Sequence, residues 1–441
     1  MLYMNKCNKI LIILSLISFH GYAQEQNALN ERKLWRFDLG SEKVSPGYVI
    51  VDTADIYSDD KGYGFDFSSK PYIVSRNGKK PLNRSFVTSE TPFYFSVNVP
   101  EGNYKVTVTL GDSKSPAKAT VKAESRRLML ENLETKPGQH RKKSFIVNVK
   151  DRKISTDREV GLKPRETTKL DWDDKLSLEF SSKTALNAIE IEKVDDQITV
   201  YLAGNSTVVN QEEEPWASWG QMIPRFFKPG VAISNHAESG LSLGSFIGSR
   251  RLEKILSVIK PGDYVFVEFG HNDEKEKGPN DGPYKSYTER LRLFSKEVRA
   301  KNGNLVILTP TARRSFDASG VMVNSHGEYP DAGRKVASEE GVPLIDLTAL
   351  TTRMYEALGP EGSKSAFVIY PEKNLNDNTH FNPYGAYQIA KIVAQEIRGL
   401  NLGLAKYLVD MPAFNSAYPD PASSFKWPPS PKLSTVKPDG N

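Results

Sequence analysis

From Leu34 to Val194 the chain alternates apolar and polar residues in short runs. Phe93-Tyr94-Phe95-Ser96-Val97-Asn98-Val99 is one such run, and Tyr104-Lys105-Val106-Thr107-Val108-Thr109-Leu110 follows the turn Pro100-Glu101-Gly102-Asn103. Phe145–Val149, Leu176–Phe180 and Ala188–Ile191 repeat the pattern. A period of two bounded by Gly, Pro and Asp turns predicts antiparallel strands with one face buried. Many such strands without a convincing helix predict an all-β sandwich.

After Asp196 the period changes. Near-continuous apolar strands are expected at Ile198–Leu202, Val231–Ile233, Tyr264–Phe269, Leu305–Leu308 and Leu344–Ile345. Helical stretches lie between or after them, at Phe246–Ile259, Tyr287–Ala300 and Tyr384–Ile397. In the last of these, Ala386, Ile389, Ala390, Val393, Ala394 and Ile397 share one face. Strands this apolar need helices over both faces, so the second half should be an α/β, flavodoxin-like doubly wound parallel sheet. The residues after 400 are rich in proline and read as a loop-like tail. The expected organisation is a leader at 1–23, a sandwich at 30–195, an α/β domain at 197–400 and a tail at 401–441.

Composition narrows this picture. Among 441 residues, 38% are hydrophobic and 26% charged, which suits folded domains with sizeable cores. The 59 basic and 54 acidic residues nearly cancel, which argues against a nucleic-acid partner. Lys6 and Lys9 precede an apolar run from Ile10 to Phe19, and Gly21-Tyr22-Ala23 offers a cleavage site, so an exported protein is expected. The run is shorter than the roughly 20 residues of a membrane-spanning helix. Its removal would take the single cysteine, Cys7, leaving no disulfide and suiting a bacterial periplasm or the outside of a bacterial cell.

Ligands in an open parallel sheet sit beyond the carboxyl ends of its strands. The first strand there is followed by Ala203-Gly204-Asn205-Ser206-Thr207, the second by Asn235-His236-Ala237-Glu238-Ser239-Gly240 and the third by Gly270-His271-Asn272-Asp273. Asp377-Asn378-Thr379-His380 stands before the final helix. A serine hydroxyl becomes nucleophilic when a neighbouring base takes its proton, and histidine titrates near the working pH. Asp377 and His380 are three residues apart, a spacing that brings both side chains to one side of a turn. No His-x-x-x-His or cysteine pair offers a zinc site, and this chemistry requires no cofactor.

These motifs resemble, in order, those of the SGNH (GDSL-type) hydrolases. Gly204-Asn205-Ser206-Thr207-Val208, Phe269-Gly270-His271-Asn272-Asp273, Asp377-Asn378-Thr379-His380-Phe381 and Ser325-His326-Gly327-Glu328-Tyr329-Pro330 look most like rhamnogalacturonan acetylesterases. The resemblance implies Ser206 as nucleophile, His380 as its base and Asp377 as the group that orients the imidazole. The backbone N–H groups of Ser206 and Gly240 and the amide of Asn272 would form the oxyanion hole. Two positions depart from the pattern: Asn205 stands where the family has Asp, and Leu241 where many similar enzymes carry Arg. Arg313 and Arg314 are candidates for the missing charge, with His271 and His326 as further candidate substrate contacts.

In the first half, Phe37-Asp38-Leu39-Gly40, Pro46-Gly47-Tyr48 and Lys61-Gly62-Tyr63-Gly64-Phe65 resemble the galactose-binding-like domains that precede such esterases, which implies a jelly-roll sandwich. Trp35, Tyr63 and Trp172 are the candidate sugar-stacking aromatics. The expected activity is an acetylesterase on an acetylated polysaccharide, pectic rhamnogalacturonan first. Xylan acetate or a lipid ester is the alternative substrate, and an inactive carbohydrate-binding protein the alternative class. The sequence leaves the oligomeric state open.

Overall fold

The computed structural model describes residues 34–40, 45–76 and 80–439. The leader expected at 1–23 and the first residues of the sandwich range lie outside the described residues. None of the described helices is long and apolar enough to cross a membrane.

The first half is two packed sheets. One contains β1 (Leu34–Leu39), β2 (Val49–Val51), β4 (Tyr72–Ser75), β5 (Ser85–Thr88), β7 (Gly102–Leu110), β10 (Arg141–Val149) and β12 (Leu186–Val194). The other, in spatial order, is β3 (Tyr63–Asp66), β6 (Phe93–Asn98), β11 (Lys175–Phe180), β8 (Ala117–Ala123) and β9 (Arg127–Thr135). Pairing is antiparallel except between β1 and β2, where Phe37 lies beside Val49 in parallel register. Alternate residues from both sheets, among them Phe37, Phe65, Phe95, Val106, Val108, Leu178 and Ile189, fill one core. Trp35 belongs to this core and Tyr63 packs against it, so neither is an open sugar platform. Trp172 packs edge-on against His236 and receives the cations of Lys150 and Arg251 on its ring. All three aromatics are therefore committed to packing.

The second half is a five-stranded sheet in the order β14 (Val231–Asn235), β13 (Ile198–Gly204), β15 (Tyr264–Glu268), β16 (Asn304–Leu308), β17 (Leu344–Ile345), parallel throughout. Its pleat explains why the strands are apolar without interruption. Val200, Leu202, Phe266, Val306 and Leu308 face a core shared with helices Leu347–Gly362 and Pro383–Gly399. Tyr201, Ala203, Val265, Val267, Leu305 and Ile307 face a second core under helices Thr288–Ala300 and Tyr329–Glu340. The helix expected over Phe246–Ile259 is two helices, Leu243–Gly248 and Arg251–Val258, because Arg250 adopts a left-handed φ of 63° and breaks the ladder. A hairpin of β18 (Phe367–Tyr370) and β19 (Leu375–Phe381) precedes the last helix.

The halves are joined by buried ion pairs. Arg251 reaches Glu166 at 2.5 Å with both side chains fully buried, and Lys254 reaches Glu101 at 2.8 Å. Arg126, in the β8–β9 turn, donates to the carbonyls of Gln211 and Trp216 and lies 2.6 Å from Glu214. The tail binds both halves: Ser430 donates to Glu179, and Trp427 donates its indole N–H to Glu214.

Candidate active site

β13 ends at Gly204, and the chain turns at once. A Cβ on Gly204 would lie 2.5 Å from Val208, so only glycine lets the turn close. Ser206 is presented on this turn at 3% exposure. Asn205 Oδ1 accepts from the Thr207 N–H and lies 2.9 Å from the Thr207 hydroxyl. That hydroxyl also lies 2.9 Å from Glu268, whose other oxygen accepts from the Trp219 indole. Glu268 is fully buried at the end of β15, and burial raises its pKa against the hydrogen bonds that lower it. A charged Asp at 205 would share Thr207 with this carboxylate, so the neutral amide removes a like-charge contact. The sequence pattern marked Ser206 but not Glu268, although a lone carboxylate closing the run Tyr264–Glu268 was the available signal.

His380 and Asp377 come from β19. His380 Nε2 lies 2.9 Å from Ser206 Oγ, and its Nδ1 lies 2.8 Å from Asp377 Oδ2. The other Asp377 oxygen accepts from the backbone N–H groups of Thr379 and His380, so the aspartate holds a local turn as well as the ring. Burial pushes this carboxyl up, but its bonds to the imidazole and those two N–H groups outweigh it and hold its pKa at about 2. Asp377 is thus a carboxylate throughout the working range. The cap of the final helix is Asn382, whose side chain accepts from the Gly385 N–H. Trp216 packs edge-on against the His380 ring at 5.7 Å.

Gly240 and Asn272 follow β14 and β15, the parallel neighbours of β13, and so lie at the same end of the sheet as Ser206. Gly240 has φ +78°, a left-handed conformation that favours glycine. Asn272 donates one amide proton to the Leu241 carbonyl at 3.1 Å, and its NH₂ group carries a second. Leu241 itself is buried in the core beneath, so its side chain supplies no contact to a ligand. Asp273 anchors this side by accepting from the Leu243 and Gly270 N–H groups, and burial pushes its pKa up to about 7.

The remaining candidates divide. Arg313 is paired with Glu274 at 2.5 Å and touches His326, while Arg314 binds Ser363, Asn378 and the Pro360 carbonyl. Both arginines hold loops together through these bonds. His326 is spent between Glu274 and the Thr311 carbonyl. His271 stacks edge-on against His326 at 4.5 Å, and neither of its ring nitrogens has a hydrogen-bond partner among the described residues. Burial, followed by the neighbouring His326 and Arg313, pushes its pKa well down, so the ring is neutral.

A hydroxyl hydrogen-bonded to an imidazole that is itself held by a carboxylate is an arrangement for acyl transfer. Residues 202–387 match the GDSL-like lipase/acylhydrolase family, and residues 35–156 match the β-agarase/YXIM esterase-like, galactose-binding domain-like family. The rhamnogalacturonan acetylesterase RhgT of Bacillus subtilis (strain 168) is 43% identical over 222 residues, covering 48% of this chain and 94% of that protein. The uncharacterized esterase YxiM of the same organism is 29% identical over 402 residues, covering 88% of this chain and 96% of its own length. A third protein from that organism, the probable rhamnogalacturonan acetylesterase YesY, is 34% identical over 213 residues, covering 48% of this chain and 97% of itself. This chain belongs to the GDSL-like lipase/acylhydrolase family and is a carboxylic-ester hydrolase preceded by a galactose-binding-like β domain.

Proposed function

We propose that the protein is an exported carbohydrate O-acetylesterase that removes acetyl groups from the rhamnogalacturonan part of pectin. The observation that carries this reading is the continuous hydrogen-bonded chain Ser206–His380–Asp377 at the strand ends, in a protein similar to RhgT. In the proposed reaction His380 Nε2 takes the Ser206 proton as Oγ attacks the acetyl carbonyl. The N–H groups of Ser206 and Gly240 and the Asn272 amide stabilise the oxyanion. His380 returns the proton to the departing sugar oxygen, leaving an acetyl ester on Ser206. Water, deprotonated by His380, then attacks that ester, and acetate leaves as Ser206 regains its proton.

The strand order second, first, third, fourth, fifth supports the flavodoxin-like assignment of the α/β domain, which we place at 197–400 between the sandwich and the tail. Export belongs to the same proposal, with cleavage after Ala23. Amino-terminal sequencing of the protein recovered outside the cytoplasm should begin at Gln24, and an intact leader there would count against export. The substrate is tested by acetate release from acetylated pectin, acetylated xylan and longer-chain esters. Acetylated pectin should be the fastest. A faster rate on xylan or on long acyl chains would refute the pectic assignment, and no release from any ester would favour a binding protein.

A further inference from the structure

Residues 163–169 of the first half press a set of cations against the Gly240 side of the site. Lys163 Nζ and Arg165 NH2 both donate to the Ser239 carbonyl, at 2.7 and 2.8 Å. Glu238 is held between Arg165, whose Nε is 2.9 Å away, and Lys169, whose Nζ is 2.7 Å away. Burial raises the Glu238 pKa, but the charges of Lys169 and Arg165 outweigh it and keep the carboxyl ionised. Glu166 is matched by Arg251. Lys169 also feels the charge of Glu212, so the surplus of positive charge beside the site sits on Lys163 and Arg165, which among the described residues of the folded body share only Glu238 within 4 Å.

A further carboxylate meets that surplus. Asp439 Oδ2 lies 2.6 Å from Arg165 NH1 and 3.5 Å from Lys163 Nζ. The segment that carries it runs along the whole site. Leu433 bridges to Glu214, the Ser434 carbonyl accepts from the Trp216 indole, and Lys437 Nζ sits 3.4 Å from Asp377. At the far end a Cβ on Gly240 would lie 3.0 Å from both Asp439 Cβ and Lys163 Nζ. The segment thus passes from the side of the imidazole to the side of Gly240, the path of an extended ligand. Arg165 uses Nε and NH2 inward and turns NH1 outward, so its planar fork is divided between the fold and a visitor. At 34% and 29% side-chain exposure, Arg165 and Lys163 are open to such a visitor.

We propose that Lys163 and Arg165 form a subsite for the carboxylate of an acidic sugar next to the acetylated unit, and that Asp439 occupies it as an internal stand-in. The proposal rests on reading the Ser206 site as a glycan esterase. It places the charge expected near position 241 on the β domain instead. A neutral glycan would displace Asp439 without replacing its charge, so the pair selects for uronic acids.

The test is calorimetric titration of the full chain with unacetylated trigalacturonate, with xylotriose as a neutral arm and sodium acetate as a bare carboxylate. Asp439 competes within its own chain at a high effective concentration, so Asp439→Asn should tighten trigalacturonate binding by about threefold to tenfold. Lys163→Gln should weaken it by about tenfold. Misfolding cannot produce opposite signs in the two variants. Equal binding of xylotriose, equal binding of acetate, or indifference to either substitution would overturn the subsite. Binding with the expected signs but no acetate released from any glycan would keep the subsite and remove the esterase reading. Acetate release from pectin with binding insensitive to both variants would do the reverse.

Discussion

The two sides of the site are built in different ways. The imidazole side is local: Asp377, Thr379 and His380 lie within four residues and hold one another through two backbone bonds and one side-chain bond. The Gly240 side is assembled across the chain. Its Ser239 carbonyl and Glu238 carboxylate are held by Lys163, Arg165 and Lys169 from the other half. Proton transfer needs one short, fixed pair, which a tight turn supplies. The difference teaches that the first half does more than tether the second: its cations fix the backbone and carboxylate just before Gly240.

Substitutions can break that comparison, beginning with the largest effect. Asp377→Asn keeps the shape of the turn but removes the charge that orients His380 and stabilises its protonated form. Turnover on an acetyl ester should fall by about 10³- to 10⁴-fold with little change in KM. A loss below tenfold would show that the imidazole side does not depend on its local carboxylate. Arg251→Met strands Glu166 as a buried, unpaired charge between the halves. Urea unfolding should show a loss of about 3–5 kcal/mol, and an unchanged midpoint would show that the halves do not depend on this pair.

Asn272→Ala removes one candidate donor from the Gly240 side. It should cost about 100- to 1,000-fold in kcat, because the bond forms to charge that develops only in the transition state. A change confined to KM would assign Asn272 to substrate binding instead. A pH comparison separates the two aspartates. Asp377 is held at about 2, so its contribution to stability is present above the ordinary carboxylate value of 3.8 and is lost as pH falls toward 2. Asp273 is raised to about 7, so the native state binds its proton more tightly and stability is lost as pH rises from 3.8 toward 7. Replacing it in Asp273→Asn should flatten the upper part of the stability profile, read as Tm against pH. An identical profile would show that burial does not perturb this group.

Much of the imidazole side was legible from the sequence because its signals are short-range. A Gly-Asn-Ser-Thr turn after an apolar strand and an Asp three residues before a His are local patterns, and the strand-end rule for parallel sheets places them together. The strands themselves were found to within a few residues, since their burial on both faces is written as uninterrupted apolar runs. The hairpin carrying His380 was not, because Leu375-Asn376-Asp377-Asn378-Thr379-His380-Phe381 has the polarity of a loop. On the other side Gly240 and Asn272 are marked by the strand-end motifs, but the residues that brace them are not. Lys163, Arg165 and Asp439 are ordinary charged residues in irregular segments, and no period connects them to Gly240. Arg313 and Arg314 illustrate the same limit: their place after a strand is legible, but their partners Glu274, Ser363 and Asn378 are distant in the chain and no period announces them.

The central claim is that Ser206 forms the acyl-enzyme. It is tested most directly by quenching the protein during turnover of an activated acetyl ester and locating the acetyl group by peptide mass spectrometry. The account predicts one acetyl group on the peptide that contains Ser206, absent in Ser206→Ala together with turnover. An acetyl group on another residue, or turnover that survives Ser206→Ala, would contradict it.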